Sequence, residues 1–162
     1  MRILSSGSKK GFSIIEILIV IAIIGITLAS ILGAGTFSVK LSTGLKETAQ
    51  LNAVAQETME AVRGFRDGTI WTTNGIGTLT VDAAYHPEKT AGVNPSWILV
   101  SGEGITGDFN QKVVFSRVSR DSNDNIVSAG GSDDSGTRKV TVTVYKGSKE
   151  TEITTYLTDW KQ

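Results

Sequence analysis

The segment Lys9–Glu16 has the sequence KKGFSIIE and opens an apolar run in which Glu16 is the only charged residue as far as Leu32. A helix of about 20 apolar residues rises about 30 Å, enough to cross the hydrocarbon core of a bilayer. We therefore predict a membrane-spanning helix over residues 12–34. An acidic side chain costs about 3 kcal/mol at the membrane centre and somewhat less toward an interface. Because of this cost, we expect the Glu16 carboxylate to meet a cation elsewhere.

Two kinds of cation are available near the start of the apolar run. Lys9 and Lys10 lie on the cytoplasmic side by the positive-inside rule. They precede Glu16 by seven and six residues, which is not the i,i+4 spacing that brings helix side chains together. A cut after Gly11 would instead create the α-amino group of Phe12. This amine would lie one helical turn from Glu16, in the same chain or in a neighbouring one.

This arrangement resembles the class III leader of type IV pilins and type II secretion pseudopilins. The resemblance implies that prepilin peptidase cuts after Gly11 and that Phe12 becomes N-methylated. Glu16 matches the family's glutamate at the fifth mature position, which pairs with the N-terminal amine of a neighbouring subunit. The family's fold is α+β, with a long N-terminal helix packed on a C-terminal antiparallel sheet.

The same resemblance implies where the protein acts and with which partners. The chain would be held in the inner membrane by a single helix, with its C-terminal domain outside the cytoplasm. Inner-membrane assembly machinery would then build it, with other pilin subunits, into the helical filament of a surface pilus or a periplasmic pseudopilus. The sequence does not distinguish a pilus, a secretion system and a competence system.

Two other interpretations of the N-terminal segment remain open. An ordinary secretory signal has an apolar run of 7–15 residues before a small-residue cleavage site. Small residues are present at 33–35, but the run is longer than that and Glu16 interrupts it. An unprocessed signal anchor would explain the length of the run and leave the acidic residue unexplained.

Charge and composition narrow the functional class. The chain has 162 residues, no cysteine, and 16 basic against 16 acidic side chains. Loss of a leader at residues 1–11 would remove three basic residues and leave a net charge of −3. Phosphate binding requires a concentrated basic face, so we expect no nucleic-acid partner. Without cysteine, the C-terminal region must be held by sheet pairing, packing or an ion.

A second helical pattern follows the apolar run. Apolar residues recur every three or four positions from Leu41 to Phe65, which is typical of a helix with one face on a core. We therefore predict an amphipathic helix over residues 35–66. Gly25, Gly33 and Gly35 would weaken the combined helix by up to about 1 kcal/mol each relative to alanine. They suit either close helix packing in lipid or, as in related filaments, local melting during assembly.

The remaining residues, 67–162, predict a globular β domain. Short strands are expected at 77–81, 97–101 and 125–129, and stronger ones at 112–120, 139–146 and 150–158. The last two form a hairpin, because Val140, Val142 and Val144 alternate with polar residues before a turn at 146–149. The segments 60–71 and 155–160 are similar to those of minor pilins of the pilus-modification group.

The stretch 69–96 is predicted to be a long loop that faces a partner. This predicts an alternative function as a tip-located adhesion or binding module, with Trp71 and Tyr85 as exposed contact residues. Gly64 and Gly68 are predicted to cap the end of the preceding helix.

The sequence predicts no catalytic residue and hence no enzyme. His86 is the only histidine, and its polar surroundings beside Pro87 favour a solvated loop. The segment 102–107 matches Gly-x-Gly-x-x-Gly, but no helix pattern follows it, so we predict a turn.

No metal site or cofactor is expected, with one exception. Asp121, Asn123 and Asn125 have the Asp-x-Asn-x-Asn spacing of a calcium loop, although Ile126 replaces the glycine that an EF-hand requires. A solvated turn is the competing interpretation.

Overall fold

The computed structural model describes residues 11–160 and contains one long helix followed by a sheet. Helix α1 spans Ile14–Gly68, and a 3₁₀ turn spans Ile76–Thr78. The strands are β1 (Ala84–Lys89), β2 (Trp97–Ser101), β3 (Gly104–Thr106), β4 (Phe109–Arg120), β5 (Ile126–Val127), β6 (Ser132–Lys146) and β7 (Lys149–Thr158). The chain forms two compact units, Met1–Leu45 and Lys46–Gln162, and each is described by itself.

The described part of the first unit is helical from Ile14 onward, and its side chains are almost all exposed. An 18-residue window of α1 near the N-terminus has a mean hydropathy of 2.8, with none of that window buried. Within residues 11–160, α1 is the one helix long and apolar enough to cross a membrane. The division of this helix at residue 34 into two functional parts stays a prediction.

The second unit contains an antiparallel sheet covered by the C-terminal part of α1. The strands follow the order β2-β1-β4-β6-β7, and the short strands β3 and β5 also pair with β4. All pairs are antiparallel. The α+β prediction, a long N-terminal helix packed on an antiparallel sheet, is therefore confirmed.

The core of the second unit lies between one face of α1 and one face of the sheet. The buried helix residues recur at spacings of three or four, as the amphipathic pattern predicts. They are Leu51, Ala55, Met59, Val62 and Phe65, and they pack with Val113, Phe115, Val140, Val142 and Val144 of β4 and β6. Fully burying an apolar side chain of this size contributes about 1.5–3 kcal/mol, so this layer holds the helix on the sheet.

The predicted C-terminal hairpin is confirmed. Strand β6 pairs with β7 from Thr137↔Thr158 to Lys146↔Lys149. Gly147 has φ +60°, a left-handed conformation that glycine adopts without the cost of a Cβ, which allows the tight turn. The three alternating valines of β6 are fully buried, so the period of two correctly identified the inward face.

The predicted strand at 77–81 and the loop around it are wrong. Ile76–Thr78 is a 3₁₀ turn, and the strand in this region is β1, Ala84–Lys89. The Gly102 N–H donates to the Ala84 carbonyl at 2.8 Å, which makes Ala84 and Gly102 a hydrogen-bonded pair of the β1–β2 ladder. Hydrogen-bonded and non-hydrogen-bonded pairs alternate in an antiparallel ladder, so Pro87 and Leu99 form a non-hydrogen-bonded pair. Proline is tolerated at such a position because no N–H is needed there. Its nitrogen faces the β4 side, where β1 pairs no further than Tyr85.

Trp71 and Tyr85 are buried, so the prediction that they form an exposed binding surface is also wrong. They are 6% and 8% exposed. The Trp71 indole Nε1–H donates to the Ser135 carbonyl at 3.1 Å, and the Tyr85 hydroxyl accepts the Thr80 N–H at 3.0 Å. The Tyr85 ring also meets Phe115 edge-on, with the centroids 5.9 Å apart. Both aromatics belong to the core.

Gly64 is not a helix cap, because α1 continues through it to Gly68. A Cβ at Gly64 would lie 2.7 Å from Cδ1 of Trp97, which begins β2. The missing side chain therefore lets Trp97 pack closely against the helix. The contact joins residues distant in sequence, which explains why local signals suggested a cap.

Candidate functional site

The start of α1 lies directly after the predicted cut between Gly11 and Phe12. The Ser13 carbonyl accepts the N–H groups of Glu16 at 3.0 Å and Ile17 at 3.3 Å, and the helix begins at Ile14. Ser13 is therefore the residue that precedes the first turn, and Glu16 lies within that turn. An acidic side chain is favourable there because the free N–H groups of a helix start carry partial positive charge.

Sequence reasoning missed the role of Ser13. The spacing Ser13-x-x-Glu16 is that of a capping box, a common signal for the first residue of a helix. Within residues 11–160 the Glu16 N–H donates to the Ser13 backbone carbonyl, and neither of the two side-chain bonds of a capping box forms. This signal places the helix start two residues beyond the predicted mature N-terminus, so a Phe12 amine would lie next to the first turn.

The Glu16 carboxylate has no hydrogen-bond or ion-pair partner within residues 11–160. Its side chain is exposed, and Phe12, Ile17, Val20 and Ile21 surround it in a shallow depression on the helix surface. Lys9 and Lys10 lie outside the described residues. Glu16 is therefore an unpaired anion on an apolar surface. A cation from outside residues 11–160 could pair with it without displacing another charged partner.

The predicted helix weak points, Gly25, Gly33 and Gly35, all lie within α1. A Cβ at any of them would meet nothing within 4 Å, so the isolated chain gives no packing reason for glycine there. The Thr27 hydroxyl donates to the Ile24 carbonyl and the Thr36 hydroxyl to the Gly33 carbonyl, both at 2.9 Å. Such bonds back to the preceding turn slightly destabilise and bend helices. Helix α1 is continuous through all three glycines, so their role as weak points stays a prediction.

The calcium candidates form the tight turn between β4 and β5. Asp121 Oδ1 accepts the backbone N–H groups of Asn123 at 2.8 Å and Asn125 at 2.9 Å, and Oδ2 accepts the Asn125 side-chain amide at 3.2 Å. These bonds, led by the backbone N–H of Asn125, lower the pKa of the Asp121 carboxyl. Asp124 takes a left-handed conformation with φ +64°. The geometry is that of an Asx turn, in which the carboxylate already satisfies the backbone.

No group of three or more histidine, aspartate or glutamate side chains comes together as metal ligands in the part of the chain that the structure describes. Calcium binding by Asp121, Asn123 and Asn125 stays a prediction.

His86 is not a loop residue. It lies on β1 with its side chain 14% exposed, and its ring nitrogens lie 3.0 Å from the Gly102 carbonyl and 3.1 Å from the Glu88 carboxylate. A Cβ at Gly104 would come within 2.5 Å of the ring, so the glycine lets the chain pass over the imidazole. The predicted turn at 102–107 is confirmed at its ends, where Gly102 has φ +100° and Gly107 has φ +60°. It is wrong in the middle, because Gly104–Thr106 pairs with β4 as strand β3. His86 holds this turn in place.

Comparison with known families agrees with the N-terminal geometry. Residues 7–32 match the family described as the prokaryotic N-terminal methylation motif. No significantly similar protein was found among curated proteins or among solved structures.

The matched segment includes the predicted cut, Phe12, Glu16 and the first part of α1. Together with the fold, the match supports a type IV pilin- or pseudopilin-like protein with prepilin-type processing and a membrane-anchoring helix. Proteins with this motif are structural subunits rather than enzymes. At the same coarse level, the motif implies processing by prepilin peptidase and assembly with other pilins.

Proposed function

We propose that this protein is a prepilin-like subunit that is cut after Gly11, N-methylated at Phe12 and assembled through α1 into a type IV pilus or pseudopilus. Before assembly it is anchored in the inner membrane, with the unit Lys46–Gln162 outside the cytoplasm. The assembled chain then forms part of a surface pilus or a periplasmic pseudopilus. The inner-membrane assembly machinery and other pilin subunits are its partners.

One observation carries the proposal: Glu16 is an unpaired carboxylate in the first turn of an otherwise apolar helix. An isolated membrane anchor would be more stable with an apolar residue there, because a charged group is costly in the hydrocarbon region. The methylation-motif match ends well inside the helix and includes both Phe12 and Glu16. A neighbouring subunit's Phe12 amine supplies the missing cation, and the pair sets the axial register of the filament.

We further propose that the chain is a minor subunit. The segments 60–71 and 155–160, which resemble those of minor pilins of the pilus-modification group, come into contact in the second unit. The Trp160 indole Nε1–H lies 3.4 Å from Asp67 Oδ1, and Asp67 also accepts a bond from Arg66 at 2.9 Å. The two segments thus form one structural feature at the C-terminal end of α1.

The glycines of α1 fit the same proposal. Because no side chain of the described chain requires glycine at positions 25, 33 or 35, their reason lies in contacts between chains or in the transfer from membrane to filament. Close helix packing and local melting both remain open as that reason.

The proposal is tested by Glu16→Gln, which keeps the shape of the side chain and removes its charge. Removing one partner of a buried charge pair typically costs about 3–5 kcal/mol, so incorporation into sheared filaments should fall by more than tenfold. The membrane-bound pool should remain cleaved, because the residues at the cut are unchanged. Immunoblots of the filament and membrane fractions measure both quantities.

Glu57→Gln is the matched control. Glu57 is an exposed glutamate on the same helix in the second unit, and its replacement should leave incorporation unchanged. Incorporation of Glu16→Gln at the wild-type level would refute the assembly role of Glu16.

A further inference from the structure

Arg138 breaks the apolar row of β6. Val144, Val142 and Val140 point inward and are fully buried, and the next inward position along the strand is Arg138. The residue is only 8% exposed. Arginine is rarely buried to this extent unless it is paired, because moving a charge out of water is costly. A guanidinium at a core position therefore calls for a partner.

The described chain does not supply that partner. Arg138 Nη1 donates to three backbone carbonyls, those of Thr137 at 3.1 Å, Asp134 at 3.4 Å and Ser135 at 3.5 Å. Its Nε is buried and has no hydrogen-bond partner. No carboxylate of residues 11–160 lies within ion-pair distance of the guanidinium. The charge is partly solvated by backbone dipoles and is not neutralised.

The acidic residues near Arg138 do not form an ion pair with its guanidinium. Asp134 is committed to Arg120, whose Nε lies 2.7 Å from Oδ2, and its Oδ1 accepts the Gly136 N–H at 2.9 Å. Asp159 lines the same region without pairing with Arg138. Because Asp134 is paired with Arg120, the charges left among the described residues of this region are one cation, Arg138, and one anion, Asp159.

Arg138 lines a pocket of about 450 Å³ in the second unit. Trp71 and Gly77 form part of its wall, and Ser135 and Asp159 contribute polar groups. Because Gly77 has no side chain, that wall consists of backbone beside the indole. The volume lies in the range of small-ligand pockets, which are roughly 300–1,000 Å³.

We propose that this pocket binds a carboxylate group, with the Arg138 guanidinium as its charge partner. Nη1 already donates to backbone carbonyls and Nε is buried, so Nη2, which makes no hydrogen bond within residues 11–160, is the donor left for the carboxylate. Charge-assisted bonds of this kind are the strong ones. The carboxylate comes either from a free small molecule or from an acidic side chain of another protein. Asp159 opposes either anion, so removing its charge strengthens binding. The site does not depend on the proposed assembly role of α1.

The test uses the full chain, ¹⁵N-labelled, in nonionic detergent micelles. Sodium acetate and a terminally blocked Gly-Gly-Glu-Gly-Gly peptide are titrated separately, with sodium chloride as the ionic-strength control. The readouts are the Arg138 Nε–H and Trp71 Nε1–H cross-peaks. We expect both peaks to shift saturably with a carboxylate and not with chloride. Tenfold tighter binding of acetate would indicate a small-molecule ligand, and tenfold tighter binding of the peptide would indicate an acidic side chain of another protein.

Arg117→Gln is the matched control, because Arg117 is the register partner of Arg138 on β4 and is 68% exposed. Arg138→Gln should weaken carboxylate affinity about tenfold or more, Arg117→Gln should preserve it, and Asp159→Asn should increase it. Equal shifts with chloride, no shift up to about 100 mM acetate or peptide, or equal losses in the two arginine variants would overturn the proposal. If Arg138→Gln fails to fold, the wild-type titration and Asp159→Asn still decide.

Discussion

Gly77→Ala tests how the second unit buries Trp71. Gly77 lies in the 3₁₀ turn, and a Cβ there would lie 2.5 Å from Trp71 Cδ1, 2.6 Å from Nε1 and 2.7 Å from the Trp71 carbonyl oxygen. These distances are shorter than real Cβ contacts. The indole cannot withdraw freely, because its Nε1–H donates to the Ser135 carbonyl and the residue is 6% exposed.

The expected cost combines two effects. Adding a methyl group that overlaps a buried side chain costs about 1–3 kcal/mol. Moving the indole to relieve the overlap would also sacrifice its hydrogen bond, which contributes about 1 kcal/mol. We therefore expect Gly77→Ala to lower the free energy of unfolding by about 2 kcal/mol. With a urea m-value of about 2 kcal/mol/M, the unfolding midpoint falls by about 1 M.

The assay is urea unfolding of the full chain in nonionic detergent micelles, followed by near-UV circular dichroism. Gly68→Ala is the matched control, because a Cβ at Gly68 meets nothing within 4 Å. The control should be as stable as the wild type or up to about 1 kcal/mol more stable, because alanine replaces a glycine at the end of a helix. A Gly77→Ala variant as stable as this control would show that Trp71 is not held against Gly77 and would refute the packing argument.

Two further predictions concern acid and calcium. The hydrogen bond from Arg120 lowers the pKa of the Asp134 carboxyl in the folded state. The ionised carboxylate therefore stabilises the fold above about pH 4, and this contribution is lost as the pH falls through the lowered pKa. The difference in unfolding free energy between wild type and Asp134→Asn should therefore shrink in urea titrations at acidic pH, and a constant difference down to about pH 2 contradicts this. Because Asp121 already accepts three hydrogen bonds, calcium should leave the urea midpoint unchanged. A rise that EDTA reverses and Asp121→Asn abolishes would instead establish a calcium site.

Periodic patterns made much of the fold predictable from sequence. The spacing of three or four from Leu41 to Phe65 identified the buried face of α1 from Leu51 onward, whereas Leu41 and Leu45 are exposed. The alternation of the β6 valines identified the hairpin. Both signals are local, because each element buries one face against whatever covers it. The N-terminal motif could be recognised for the same reason, since Gly11, Phe12 and Glu16 are close together in sequence, and their roles in cleavage, methylation and assembly stay predictions.

The errors arose where distant residues decide the structure. Strand β1 has no clear alternation and contains Pro87, and it is stabilised by pairing with β2. Local sequence signals favour a helix cap at Gly64. The contact that requires glycine there is made by Trp97, which lies 33 residues later in the sequence and gives no local signal. Trp71 looked exposed because its covering residues, Gly77 and Ser135, lie in other elements.

The buried position of Arg138 had a visible signal in the sequence. The period-two pattern of β6 places an inward-facing residue at 138, and arginine interrupts the apolar row there. A charged residue in phase with an apolar row is thus a useful marker of an unusual core position.

We propose that the chain is cut after Gly11 and that Phe12 is the mature first residue. Digestion of the membrane-extracted protein at glutamate should release the N-terminal peptide Phe12–Glu16, FSIIE, whose mass and fragments show the cut and the modification together. We expect this peptide with one added methyl group on the Phe12 amine. A peptide that still contains Gly11, or one that begins at another residue, would contradict it.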